Sequence, residues 1–465
     1  MKRSNNLFFF FILLLLATGP VCAYTQVLTL PQALSTSVSN YELLKAKKNY
    51  ANASGQAVIT AKRDGLPDVT IAAEHEYGTL SGMNGLASGI PGLTTVTNGP
   101  AMPIQSWNAA FGAYYVSNVN WNIFSFGWQR AHVAAAKGLY EQDKADLEQE
   151  KFLLQVKVSV AYLDLLAAQR LRLSMEVNLT RALDLSTTIH ARTDNGLNAG
   201  VDSSIANAEV SRARLSVTDA LNYEQMKSSQ LATLLGIPMQ VFSLDTSYVS
   251  RLPRNLLDTS TITQHPVLTY LDKRIKASNL EANYLRKEGL PRFSLFGVLQ
   301  DRGSGYGYNY GPLYPNDYTS KYFQGVSPVR VNYLVGVGLT WNIMEFNRST
   351  SRVKSQSYVS AAFTNEYNQQ RTDLSNQSAL ADQQVSNALS RYREAPIQLK
   401  AATDAYTQKT ELYQNGLANI SDVAQALYAL NRAETDMDIA YNSVWQAVLF
   451  KVAATGDIPG FLSQL

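Results

Sequence analysis

The chain contains its own second copy. Trp121-Asn122-Ile123 followed by Phe126 returns as Trp341-Asn342-Ile343 followed by Phe346, an offset of 220. At the same offset Asn195-Gly196-Leu197 returns as Asn415-Gly416-Leu417, Asp202 as Asp422, Arg212 as Arg432 and Gly236 as Gly456. Upstream, Gly65-Leu66-Pro67 returns as Gly289-Leu290-Pro291 at an offset of 224. The register therefore holds without a net gap from the tryptophan onward, and the difference in length falls between Pro67 and Trp121. Periods of 20–50 residues mark solenoids. A period this long implies one structural unit built twice and packed as a pair, so the 465 residues need not divide into unrelated domains.

Each copy repeats one order: helix, Gly-Leu-Pro, strand, long loop, strand, very long helix, tight turn, helix. The first helix is expected from about Pro31 to Arg63, where Gly65-Leu66-Pro67 stops it; its counterpart begins after His265-Pro266. Strand pairs are expected at about 68–77 with 107–123, and at 292–300 with 330–344. Val331, Tyr333, Val335, Val337, Leu339 and Trp341 alternate with Asn332, Gly336, Gly338 and Thr340, a period of two. Such alternation fits a half-buried sheet of a soluble domain. It also fits strands with a lipid face and a polar face. Trp107, Tyr115, Trp121, Tyr333 and Trp341 favour the second reading, as an aromatic belt.

The loops between paired strands are long and poor in charge, with none at all from Gly78 to Ser106. The helices after them, expected over 126–193 and 346–413, carry apolar residues at spacings of three, four and seven, which is coiled-coil-like packing. About sixty residues at 1.5 Å give roughly 90–100 Å. Pro396 should kink the second of these or leave a carbonyl without its donor. Each ends at an Asn-Gly-Leu tip, at 194–202 and 414–421, and returns as a helix over 203–235 or 422–454, with Asp202 and Ser421-Asp422 as plausible caps. The first copy spans 24–240 and the second 263–456, joined by 241–262, with a tail over 457–465.

Before the first copy, Lys2-Arg3, the apolar run Leu7–Ala17 and Val21-Cys22-Ala23 read as a signal peptide over 1–23. The run is too short to span a bilayer as a helix. Val21 is a poor fit to a lipobox before Cys22. Cleavage after Ala23 leaves no cysteine, hence no disulfide. No other segment resembles a hydrophobic transmembrane helix, so a membrane location would rest on strands. With 40 Lys+Arg against 37 Asp+Glu, there is no basic excess for a nucleic-acid partner. The four histidines (75, 132, 190, 265) lack metal-ligand spacing, and no phosphate loop or nucleophile elbow appears. No enzyme activity and no cofactor are implied.

Four strands with an apolar face cannot seal themselves in lipid, because their edges would leave backbone groups unpaired. The smallest closed barrels have about eight strands, so copies must pool theirs, with the helices projecting into an aqueous space. Together these features resemble the TolC family of outer-membrane efflux and secretion channels. The resemblance is carried by Leu28-Thr29-Leu30-Pro31-Gln32-Ala33-Leu34, His265-Pro266, both Gly-Leu-Pro stops, both Trp-Asn-Ile strand ends and both tips with an Asp six residues after the Gly. It implies an α+β membrane protein: a homotrimer whose four strands per protomer close a twelve-stranded β-barrel in the outer membrane of a Gram-negative bacterium. A periplasmic tunnel of long antiparallel helices continues it. It further implies an outer membrane channel-tunnel in a tripartite efflux or type I secretion system. The tips at Gly196, Leu197, Gly416 and Leu417 would dock on a periplasmic adaptor (membrane fusion) protein, joined to an inner-membrane pump or ABC exporter. Asp202, Asp422 and Tyr413 match the family's periplasmic gate. Gln425 stands where a second acid is common and Ala418 where a basic link residue is expected, which weakens the expectation of a charge-locked gate. The rival readings are a periplasmic coiled-coil adaptor, or a structural envelope protein without a pore.

Overall fold

A computed structural model describes residues 27–82, 101–197, 199–253 and 264–464. The signal peptide with Cys22, much of the first charge-free loop and much of the 241–262 linker lie outside the described residues. Elements follow in the order α1 (Leu30–Asn40), α2 (Glu42–Arg63), β1 (Asp68–Thr79), β2 (Ala109–Phe124), α3 (Trp128–Asp194), α4 (Gly200–Leu235), α5 (Ser247–Ser250), α6 (Pro266–Glu288), β3 (Arg292–Ser304), α7 (Tyr322–Val326), β4 (Arg330–Thr340), α8 (Ile343–Gln414), α9 (Ile420–Thr455) and α10 (Ile458–Leu462). They group into two compact units. One holds Met1–Asn52, Gln142–Lys273 and Phe363–Leu465; the other holds Ala53–Glu141 and Arg274–Ala362.

The first unit is helical. Its core gathers Leu30 and Leu34 of α1, Leu154, Tyr162, Leu165 and Leu166 of α3, Leu231 and Leu235 of α4, Tyr248 of α5, Trp445 and Leu449 of α9 and Phe461 of α10. The large side chains that carry polar atoms find partners, as buried polar groups must. Tyr162 donates its hydroxyl to the Leu28 carbonyl at 2.8 Å and accepts from the Asp245 amide at 3.0 Å. The Trp445 indole donates to the Arg251 carbonyl at 3.0 Å. Burial pushes the Tyr162 phenol upward from its ordinary range. One stretch of α3 is long and apolar enough to cross a bilayer, contrary to the expectation that none beyond the leader would be; more than half of it is buried, so core packing accounts for its composition. The helix expected from Pro31 to Arg63 is two helices. Tyr41 breaks it with extended backbone (ψ 114°), its amide still donating to Ser37 O at 2.9 Å. A capping box opens α1, in which Thr29 and Gln32 bond each other's amides. In α8, Pro396 sits inside an unbroken 72-residue helix. It cannot donate to the Tyr392 carbonyl, and one lost bond does not end a helix of this length.

The second unit is built on a four-stranded antiparallel sheet in the order β1-β2-β3-β4. The register pairs Ala73 with Tyr115, Ser117 with Leu299 and Leu299 with Tyr333, so odd-numbered residues share one face up to the bulge after Asn122, where Phe124 pairs with Phe293. That face carries Val69, Ile71, Tyr77, Phe111, Val119, Leu295, Leu299, Val331, Val335, Val337 and Leu339. The other face carries Glu74, Glu76, Asn118, Asn120, Gln300, Arg302 and Asn332. Val331, Val335, Val337 and Leu339 are each at least 60% exposed, an apolar surface with nothing packed on it among the described residues. The strand expected to reach 344 ends at Thr340, and helix begins at Ile343.

The repeated Gly-Leu-Pro and Trp-Asn-Ile motifs meet here. The Trp121 indole donates to the Gly65 carbonyl at 2.9 Å, and the Trp341 indole donates to the Gly289 carbonyl at 3.2 Å. Each tryptophan at a strand end thus satisfies a carbonyl left over where α2 or α6 stops.

Candidate functional site

The hairpin tips are built by the same local chemistry twice. Gly196 (φ 70°) and Gly416 (φ 76°) take the left-handed conformation that an L side chain resists. The Gly196 amide donates to Thr193 O at 2.9 Å and the Leu197 amide to Arg192 O at 2.9 Å. The Gly416 amide donates to Tyr413 O at 3.0 Å and the Leu417 amide to Leu412 O at 2.8 Å. These are paired Schellman closures. Asn195 and Asn415 add a side-chain bond each, to the carbonyls of Ala191 (2.6 Å) and Glu411 (2.9 Å). A Schellman turn often tucks its apolar residue back onto the helix. Here Leu197 and Leu417 remain 70% and 75% exposed, so each tip ends in a bare leucine.

Neither acid is a helix cap. Ala199 precedes α4 and offers no side-chain bond, while Asn419 precedes α9 and accepts from the Asp422 amide at 2.9 Å. Both aspartates lie one turn further in, where the helix dipole favours a negative charge and the carboxylate is left to reach across. Tyr413 points its hydroxyl at Asp202 Oδ2, 3.4 Å away. Its ring is buried against Leu185, Ile189, Ile420, Val423 and Leu427. Asp422 meets Lys409, Nζ to Oδ2 3.5 Å. Gln425 is exposed and Ala418 half-buried.

Two cations stand among the tip residues, neither of them at position 418. Arg192 donates from Nη1 to the Gln414 carbonyl at 2.7 Å and lies 5.7 Å from the centre of the Tyr413 ring. It ties the end of α3 to the end of α8, and Lys409 supplies the second cation. A basic residue in the last turn of a helix was the available signal for Arg192. Further along the same hairpins, Arg181 makes two bonds to Glu434, 2.7 and 2.6 Å, a fork-to-fork geometry stronger than a single contact. That pairing holds the guanidinium above its ordinary range. Burial raises the neighbouring Asp438 carboxyl.

On the sheet, the aromatic residues separate into two sets. Trp107 and Tyr333 are 81% and 83% exposed. Tyr115 is half-buried, donating to the Val326 carbonyl at 3.1 Å and bonding His75 Nε2 at 2.7 Å. Trp121 and Trp341 hold the helix ends described above while staying partly open.

A four-stranded sheet whose apolar face is largely uncovered and two helical hairpins with matching tips are the parts of the molecule that the comparisons with known proteins address. The profile of the family described as "Outer membrane efflux protein" matches residues 33–237 and 260–449, and the chain belongs to that family of outer-membrane channels. Among solved structures it is similar to the outer-membrane channel OprN, at 20% identity over 92% of this chain and 89% of that one, with a TM-score of 0.71. It is also similar to the outer membrane protein VceC from Vibrio cholerae (16% identity, 92% and 96% covered, TM-score 0.70). The Campylobacter jejuni CmeC outer membrane channel is a third (14% identity, 92% and 85% covered, TM-score 0.72). No curated protein sequence matches the chain significantly. The protein is localised to the outer membrane, as the family and these channels are.

Proposed function

We propose that the protein is the outer-membrane channel of a tripartite efflux or type I secretion system, working as a homotrimer. The observation that carries this reading is the sheet. It has four strands, β1 and β4 each have a single neighbour among the described residues, and one face is apolar and largely exposed, Val331, Val335, Val337 and Leu339 most of all. In lipid such edges leave backbone groups without partners, and pooling three copies removes them by closing a barrel of twelve strands. The polar face, with Glu74, Glu76 and the asparagines of β2, then lines water.

The helical hairpins form the periplasmic part of the passage. Leu197 and Leu417 are the contact points for a periplasmic adaptor, since an exposed apolar side chain at a rigid turn suits a partner surface. Tyr413–Asp202 and Lys409–Asp422 hold the tips in a closed arrangement. Opening breaks these links, and the inner-membrane partner supplies the energy.

Efflux assays test this directly. Replacing both Leu197 and Leu417 with Asp is expected to abolish substrate export in cells while leaving the assembled oligomer at normal abundance. Full export by the double variant would remove the tips as the docking surface.

A further inference from the structure

The long segment between β3 and β4 carries structure of its own and a defined seat on the sheet. Its first part extends the sheet: the Gly305 amide donates to Phe111 O at 2.8 Å and the Thr319 amide to Gly305 O at 2.7 Å. It then forms α7, which lies on the odd-numbered, apolar face of the sheet. Tyr322 packs edge-on against Phe111, ring centres 5.1 Å apart, and bonds His75 Nδ1 at 2.8 Å. Val326 receives the Tyr115 hydroxyl. Two glycines let the backbones touch. A Cβ on Gly303 would fall 2.7 Å from Gly325 O, and one on Gly325 would fall 2.5 Å from Phe111 O.

We infer that α7 is a membrane-interface anchor that covers the top of the sheet's outward face and presents Phe323 to outer-leaflet lipid. This rests on the reading of the odd-numbered face as the bilayer face. Three observations support it. The face is continuous: below α7 it runs on through Ile71, Leu299, Val331, Val335 and Val337. Next, α7 roofs two of the polar groups on that face, the His75 ring and the Tyr115 hydroxyl, and gives each a bond that an apolar surround would not supply. Finally, Phe323 is 79% exposed while Tyr322 beside it packs on the sheet, so the helix turns one aromatic inward and one away. Tyr115, at the lower edge of this cover, is six residues from the start of β2 at Ala109, so the seat lies within roughly 20 Å of the strand ends at 3.4 Å per residue.

Nitroxide labels in proteoliposomes decide it. Phe323→Cys, Val335→Cys and Leu417→Cys are made in a Cys22→Ser background and probed by collision with oxygen and with a water-soluble nickel chelate. The Phe323 label is expected to favour oxygen over nickel several-fold, as the Val335 label does, with Leu417 showing the reverse. A Phe323 label that behaves like Leu417 while Val335 stays lipid-facing overturns the anchor and leaves the barrel intact. A nickel-accessible Val335 label overturns the barrel reading itself. As a second measurement, the added emission of Phe323→Trp over the parent should be quenched by brominated phospholipid and spared by aqueous iodide; the opposite pattern also overturns the anchor.

Discussion

The two hairpin tips share a backbone and differ in what they do with it. Both close through a left-handed glycine with the same pair of amide bonds, and both leave a leucine exposed. Where the return helix begins, they part. Asn419 caps α9 with its side chain, whereas Ala199 leaves α4 without that bond. The equivalent acids then take different partners: Asp202 a buried tyrosine, Asp422 a half-exposed lysine. Duplication preserved the turn, where only one backbone shape works, and let the links diverge. One link joins a carboxylate to a phenol anchored in a core; the other is an ion pair open to salt.

The largest break in that comparison should come from Tyr413. Its ring is 4% exposed within the tip cluster, so Tyr413→Ala should cost about 3–5 kcal/mol of local stability and raise leak through the closed channel in planar bilayers. Tyr413→Phe keeps the ring and should raise leak only slightly. Equal leak in the two variants would mean that the hydroxyl, not the packing, holds this tip. Next in size is the ionic link. Asp422→Ala should raise closed-state conductance more at low salt than at high salt, because exposed pairs are screened within about 10 Å at 0.1 M ionic strength. Asp202→Ala should be nearly insensitive to salt. Identical salt responses would erase the distinction drawn here.

The far ends of the return helices extend the comparison. Gly236 and Gly456 are both left-handed stops, but a Cβ on the first would meet Asn40 and on the second His265. His265 is 1% exposed and opens α6, with Nδ1 accepting from the Val267 amide at 3.2 Å and Nε2–H donating to Ala453 O at 3.0 Å. Both nitrogens are used by the neutral ring, and burial holds its pKa below the ordinary 6.5. Above pH 6.5 the folded and unfolded chains are both neutral there, and the group adds no pH dependence. Below it the unfolded chain takes up a proton that the folded chain resists, so stability falls as pH falls, by at most about 1.4 kcal/mol per pH unit. Melting curves of His265→Asn should be flatter than wild type between pH 6.5 and 5; parallel slopes would exclude this histidine. The smallest effect tests the missing cap. Ala199→Asn should stabilise α4 by about 1 kcal/mol, and Asn419→Ala should cost α9 a similar amount, both readable as changes in amide exchange at the tips. If Ala199→Asn gave no added protection, the two helix starts would not differ in the way proposed.

The architecture was legible where a feature repeats locally. Period-two alternation separated the two faces of the sheet, and Asn-Gly-Leu marked both turns, because each depends on residues close in sequence. Features depending on distant partners were not legible. The Trp121 and Trp341 indoles looked like belt residues, but each also reaches a glycine carbonyl more than fifty positions away. The caps were misplaced by three residues, since Asp202 and Asp422 are good capping types and only geometry places Asn419 ahead of one and Ala199 ahead of the other. Arg192 went unnoticed because its acceptor is a main-chain carbonyl on another hairpin. The seat of α7 depends on two glycines and a tyrosine from three segments, a convergence that composition does not announce.

Native mass spectrometry of the detergent-extracted protein puts the central idea at most direct risk, because a sheet of four strands cannot close on itself. The dominant species should carry three copies of the chain and survive gentle activation as a unit. A stable single copy, folded and at ease without lipid or detergent, would contradict the shared barrel.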